Sequence, residues 1–300
     1  MNASYEDEID LAWIDSEVGA ALARGNELIE ELFKDVRAWN QDHPVGMRAV
    51  LDRRGRSVTF VVAEFDEPPL RKWTQPVGDA LHNWRRMLDT LAWDLAERFS
   101  QSKLTSQQRA SIKFPLFDSA TAFDAALKNP KHWLSVLDPE HQKRLRMTQP
   151  FIASNPQESV LHWLQDLDNT RKHRGGFSLR TVLDHDEGFL FMKLEDADGD
   201  DVAVPDSALH RLSWGRTVIP GLPVIRVLAP GIARAEGTHP VPVVLRIKRD
   251  EQHESDLEHM IFALSEQLFA TIFVVYTGKF PPPSERSARY GAWGIEQPRP

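Results

Sequence analysis

The chain contains no cysteine. That absence excludes a disulfide framework, a thiolate nucleophile and Cys-ligated zinc, and it suits a reducing compartment. Long hydrophobic runs are missing too. The most apolar stretch, LFATIFVVY at 268–276, has nine residues, about half of the ~20 that a membrane-crossing helix needs. The first residues, MNASYEDEIDLAW, are acidic and lack a basic segment followed by an apolar one, so no secretory signal is expected. These features together predict a soluble, cytoplasmic protein with no membrane partner.

An excess of positive charge is also lacking. Net charge is −8, which makes the chain a poor non-specific binder of nucleic acid. The imbalance is local: residues 1–43 hold eleven Asp/Glu against three Lys/Arg, and the remaining thirty-three of each sign cancel. An acidic outer helix face and a frayed terminus account for such a segment. Several chemistries have no signature here. There is no G-x-x-x-x-G-K-[ST] loop, no G-x-G-x-x-G, no H-E-x-x-H and no G-x-S-x-G. Neither a cofactor nor a metal is expected. Asp184-His185-Asp186-Glu187 reads as a β-turn rather than a metal site.

What is present is ample core material: 41% apolar residues, with nine Trp and fifteen Phe in 300. Residues 11–40 carry Ile14, Val18, Ala21, Leu28, Leu32, Val36 and Trp39 at three- and four-residue steps, predicting a long amphipathic helix that ends at His43-Pro44. Residues 45–65 read as a hairpin turning at Asp52-Arg53-Arg54-Gly55. A helix is expected after Pro76, running to Phe99. Further helices are expected at 119–128, 131–147 and 157–174, the last stopped by Gly175-Gly176.

From 177 to 249 the period becomes two. FSLRTVLD, EGFLFMKLED, DVAVP, VIRVLAP and VPVVLRIKRD predict antiparallel strands, with a turn at Asp198-Gly199-Asp200. Ser255 to Glu258 has the spacing of a capping box and opens a helix to Tyr276. After Gly278 comes a proline-rich tail, 281–300, read as flexible. The expected architecture is α+β: a bundle of five to six helices (11–43, 76–174, 254–277) packed with an antiparallel sheet (45–65, 177–249) as a single domain, 1–280.

Two of these helices carry more polar chemistry than packing requires. Between Leu81 and Leu91 stand His82, Asn83, Arg85, Arg86 and Asp89. The helix at 157–174 carries His162, Asp166, Asp168, Asn169, Lys172, His173 and Arg174. Residues three or four apart share a helix face, so both sets lie beside apolar stripes. Buried charges must be paired, and the two sets are complementary, which predicts Arg85 or Arg86 against Asp166 or Asp168.

Four stretches carry a resemblance. G-D-x-L-H-N-x-R-x-x-L-D-x-L-A (Gly78 to Ala92), Phe114-Pro115, Gln149-Pro150-Phe151 and Leu-Asp-Asn-x-x-Lys-His-Arg (Leu167 to Arg174) resemble the motifs of a family of uncharacterised bacterial proteins. That resemblance covers about a third of the chain and implies no activity. A more distant likeness is to HEPN-type helical domains, whose ribonuclease members carry Arg-x4–6-His on a helix. It implies metal-independent RNA cleavage, in which a histidine shuttles the 2′-hydroxyl proton and an arginine stabilises the phosphorane. Here Thr90 stands where the histidine would follow Arg85, so His82 or His173 would have to supply it.

Three readings result. The first is a binding or interaction protein with a polar helical cleft, in which Asn83, Asp166, Asp168, Asn169, Lys172 and Arg174 contact the ligand. RNA or a nucleotide is the candidate ligand, and a homodimer is compatible. The second is a diverged HEPN-like ribonuclease with catalytic candidates His82, Arg85, Arg86, Asp89 and His173. The third makes the cluster a purely structural network that fixes helix register and gives any ligand site to the sheet.

Overall fold

A computed structural model describes residues 16–153, 155–174, 177–183, 192–213, 215–237, 243–249 and 253–281. The fold is α+β, with seven α-helices and antiparallel sheets among these residues. The chain forms two compact units. One takes residues up to Glu30, then Gln75–Phe177, and everything from Glu258; the other takes Glu31–Thr74 and Ser178–Leu257. The first is helical, and the second holds the described strands together with the end of the first helix and the start of the second.

In the helical unit, α1 (Glu17–Asp42) begins with Val18, Gly25 and Ile29 buried. Gly25 is required by a close approach, since a β-carbon there would lie 2.2 Å from Nε1 of the fully buried Trp84. Helix α2 (Leu70–Phe99) buries Leu81, Trp84, Leu88, Leu91 and Leu95 at 1% exposure or less. It starts six residues before the expected boundary and carries Pro76 inside it. Proline there forfeits one i→i−4 hydrogen bond. The early turns persist because Trp73 is buried and meets Trp39 edge-to-face at 5.8 Å between ring centroids, so packing outweighs the local signal.

A short helix that the periodicity does not announce, α3 (Ser106–Ala110), is fixed by a full capping box between Thr105 and Gln108. Helix α4 (Ala120–Lys128) falls where expected. The helix expected at 131–147 divides into a 3-10 turn (Trp133–Val136) and α5 (Pro139–Met147). The division falls at Asp138-Pro139: Asp138 caps the new helix by accepting from the N–H groups of Glu140 and His141, and Pro139 fits a first-turn position.

Helix α6 (Val160–Arg174) turns Val160, Leu161, Leu164 and Leu167 inward as expected; its Gly175-Gly176 stop lies outside the described residues. The last helix, α7 (Leu257–Thr277), is the one described helix long and apolar enough to cross a membrane, with a mean hydropathy of 1.6 over its best stretch. Half of that stretch is buried inside the structure, as in the core helix of a folded unit. Ser255 is not its cap: it sits in a strand, 254–256, immediately before the helix.

The β unit is built on a four-stranded antiparallel sheet. Its order is β1 (Met47–Leu51), β2 (Ser57–Val62), β6 (Pro223–Leu228), β5 (Leu209–Arg211). The β1–β2 turn has Gly55 at φ 60°, and Asp52 closes it by accepting from the N–H of Arg54 (2.6 Å) and Arg56 (3.1 Å). A second sheet runs β3 (Ser178–Leu183), β8 (Val243–Lys248), β9 (Glu254–Asp256), and a third pairs β4 (Met192–Glu195) with β7 (Arg234–Gly237).

Val58 and Phe60 join Leu194, Val227 and Ile232 in one core cluster, whereas Val62 joins Val45, Leu183 and Val224 in another, flanked by Trp39. Residues of equal parity would face one side of a regular strand; the register shift between Phe60 and Val61 redirects Val62. The expected strand at 201–205 is absent apart from a single bridge, Glu195 to Asp201. Residues 184–191, with the acidic turn expected there, lie outside the described residues, as does most of the proline-rich tail.

Candidate functional site: the polar residues of α2 and α6

The side chains that make α2 unusual go in two directions. Arg85 is 9% exposed. Its Nη2 donates to Asp89 Oδ1 (2.8 Å), one turn along the helix, and to the backbone carbonyl of Phe114 (3.1 Å). The same Asp89 oxygen accepts from the Phe114 N–H at 2.9 Å. Arginine, aspartate and both backbone groups of Phe114 thus close a ring of charge-assisted hydrogen bonds that seats the 113–117 segment on α2. Arg85 Nη1 is buried without a partner, so its guanidinium is enclosed rather than offered to a ligand. Asn83 is committed locally, donating from Nδ2 to the Asp79 carbonyl at 2.8 Å.

Gln149 of a motif stretch, and His162 outside the motif stretches, converge on the same segment. Gln149 is buried, accepts from the Phe117 N–H at 3.2 Å and donates to the Leu145 carbonyl at 3.0 Å. His162 is buried too, and its Nε2 stands 2.6 Å from Asp118 Oδ1, at ion-pair distance but without hydrogen-bond alignment. His162 therefore belongs to the anchoring of 114–118 rather than to a ladder with Asp166 and Asn169. The four motif stretches are physically one assembly. Sequence reasoning missed its hub, because the hub consists largely of backbone groups; the Phe114-Pro115 pair was the available signal.

The second direction is outward. His82 Nδ1 lies 3.2 Å from Asp168 Oδ1; the imidazole is half exposed while the carboxylate is 3% exposed. This is a polar link between α2 and α6, and it stands where a pairing of Arg85 or Arg86 with Asp166 or Asp168 was expected. The expected pairing fails for Arg85 because its Nη2 is taken by Asp89 and the Phe114 carbonyl, while its Nη1 is buried. Arg86 is exposed and has no recorded partner among the described residues. It stands four residues after His82, hence on the same helix face. Asn169 is exposed on α6 and Asp166 half-buried. The side chains of Lys172, His173 and Arg174 lie outside the described residues.

The arrangement therefore presents one imidazole, with Nε2 left over from the Asp168 contact, beside one guanidinium. When both ring nitrogens carry a proton, such a pair can hold an anion or a hydrogen-bond acceptor. Among the described residues no group of three or more His, Asp or Glu is placed to hold a metal. Comparison with protein-family models, curated proteins and solved structures returns no match. Any reading of this site rests on its own geometry.

Proposed function

We propose that the chain is a cytoplasmic binding protein that holds a phosphate-bearing ligand, an RNA strand or a nucleotide, against the open face of α2. One observation carries this reading: His82 is oriented by the buried Asp168 yet half exposed, with exposed Arg86 one turn away. A buried carboxylate that fixes an exposed imidazole pre-organises a contact, which reduces the ordering cost of binding. The acidic balance of the chain supports local rather than long-range capture, since no broad positive field is available to steer polyanions.

The test is fluorescence anisotropy with a labelled single-stranded RNA and calorimetry with ADP, on wild type and on His82→Asn and Arg86→Ala. Each substitution should weaken binding at least about tenfold, the scale of one lost charge-assisted contact. Absence of measurable binding to both probes by folded wild type would refute the reading.

The same pair favours one second reading, a metal-independent ribonuclease of HEPN-like descent. A histidine aligned by a carboxylate is what a general base requires. Arg85 is enclosed, so Arg86 would have to stabilise the phosphorane, and Thr90 offers no proton shuttle. Single-stranded RNA cleaved by wild type but not by His82→Asn would favour catalysis over binding alone. Thr90→His, which restores the Arg-x4-His spacing, should then gain activity.

A further inference from the structure

A second site lies away from the His82–Arg86 face, in the helical unit between α7 and the segment 147–160 that leads into α6. A cleft open to solvent is walled mainly by apolar side chains, among them Ile152, Val160 and Val274. Thr271 of α7 lines it and is fully buried, yet its hydroxyl has no hydrogen-bond partner among the described residues. Threonine in a helix ordinarily donates back to the carbonyl four residues earlier. Thr74 does so to Leu70 at 2.7 Å, and Thr277 to Phe273 at 2.7 Å. Thr271 makes no such bond, although a buried hydroxyl without a partner is costly. The other buried polar side chains of the lining are occupied: Thr148 donates to the Leu145 carbonyl, and Gln149 uses both ends of its amide.

The lining also restricts charge. It contains no Lys, Arg or His, and its one ionisable side chain is the exposed Glu158. An anion entering would be desolvated beside a carboxylate with no compensating cation. A neutral or cationic molecule meets no such penalty.

We infer that this cleft is a binding site for a small neutral or cationic molecule with a short aliphatic body, whose polar head hydrogen-bonds the Thr271 hydroxyl. A mainly apolar pocket with a few polar groups, here the unpartnered Thr271 hydroxyl beside Asn155, Ser159 and Gln267, is the usual form of a small-molecule site. The site is independent of the reading given for His82 and Arg86, and either can fail without the other.

The experiment titrates the full chain with butyramide, butylammonium and butyrate while following the methyl NMR signals of Ile152, Val160 and Val274. Butyramide and butylammonium should produce saturable shifts, with affinities on the order of millimolar for so few atoms. Butyrate should bind at least about tenfold more weakly, because its charge finds no partner. Thr271→Val, nearly equal in volume, should weaken butyramide about fivefold or more. Without ligand, its melting temperature should be equal to or above that of wild type, because the hydroxyl it removes has no partner. Three results would each overturn the inference: no saturable shift with either favoured probe, butyrate binding as tightly as butyramide, or Thr271→Val binding like wild type. A clear fall in melting temperature for Thr271→Val would do the same, since it would mean that the hydroxyl is already bonded.

Discussion

Arg85 and His82 stand three residues apart on one helix, each paired with an aspartate, yet they are in opposite situations. The Arg85–Asp89 pair is completed by both backbone groups of Phe114 and enclosed. The His82–Asp168 pair has its carboxylate buried and its imidazole half out in solvent. A closed pair contributes to stability and offers nothing to a ligand. An open one contributes little to stability and keeps a ring nitrogen available. Residue type does not separate the two cases; what separates them is whether a loop has been laid over the pair.

The largest expected effect tests the closed side. Asp89→Ala leaves the buried Arg85 guanidinium and the Phe114 N–H without their shared acceptor. The loss should be about 2–3 kcal/mol, below the full penalty of a broken buried pair because Asp89 is itself a third exposed. Chemical denaturation would measure it. A loss under about 0.5 kcal/mol would mean that the ring of hydrogen bonds around Phe114 does not form.

Gly25→Ala presses on the same buried side from α1. The added methyl would sit 2.2 Å from Trp84 Nε1, on a fully buried indole that has little room to move. Overpacking of this kind costs about 1–3 kcal/mol. An alanine variant that melts with wild type would show that α1 yields there.

A third aspartate–histidine pair serves as a control. Asp138 accepts at Oδ1 from the Glu140 and His141 N–H groups and faces His141 Nδ1 at 2.6 Å from Oδ2. Burial pushes the Asp138 pKa up. The hydrogen bonds from the His141 backbone and ring, with that of Glu140, outweigh it, and the net value falls below the ordinary 3.8. A depressed carboxylate stabilises the fold above its unfolded value, and the contribution disappears as pH falls through the lower folded value. The cap should therefore be intact above about pH 4 and be lost only in stronger acid. Asp138→Ala should cost about 1 kcal/mol at neutral pH, and Asp138→Asn much less because asparagine caps equally well. Comparing the acid limbs of urea midpoints for wild type and Asp138→Asn checks the sign: the difference should vanish in strong acid.

Legibility in the sequence followed the range of the interaction. The turn at Asp52 to Gly55 was readable because its determinants, an aspartate acceptor and a positive-φ glycine, lie within four residues. The inward stripe of α6 was readable from spacing alone. The start of α2 was not, because Trp73 is held by Trp39, thirty-four positions earlier in the chain. Strands β5, β7 and β9 have three or four residues and little apolar content; their extension is imposed by partners. The candidate site was half legible. Polar excess located α2 and α6, and the link between them was foreseen in kind, but its members were not. Choosing among several cations and carboxylates required knowing that the backbone of Phe114 lies against Arg85 and Asp89.

The smallest expected stability change, and the sharpest discriminator between the closed and open pairs, belongs to His82→Asn. Half of the imidazole is already hydrated, so its removal forfeits a contact of the exposed-pair class, worth about 0–1 kcal/mol. Asparagine keeps a donor on a shorter side chain and should hold the change to the lower part of that range. The melting curve should therefore nearly superimpose on that of wild type, while RNA or ADP binding falls by about tenfold. The reverse result, a large stability loss with binding intact, would make His82–Asp168 a second structural clasp and move the ligand site off this face. Performing the same two measurements on Asp89→Ala completes the comparison. Its binding, corrected for the folded fraction, should match wild type, because the Arg85 guanidinium is buried away from any ligand.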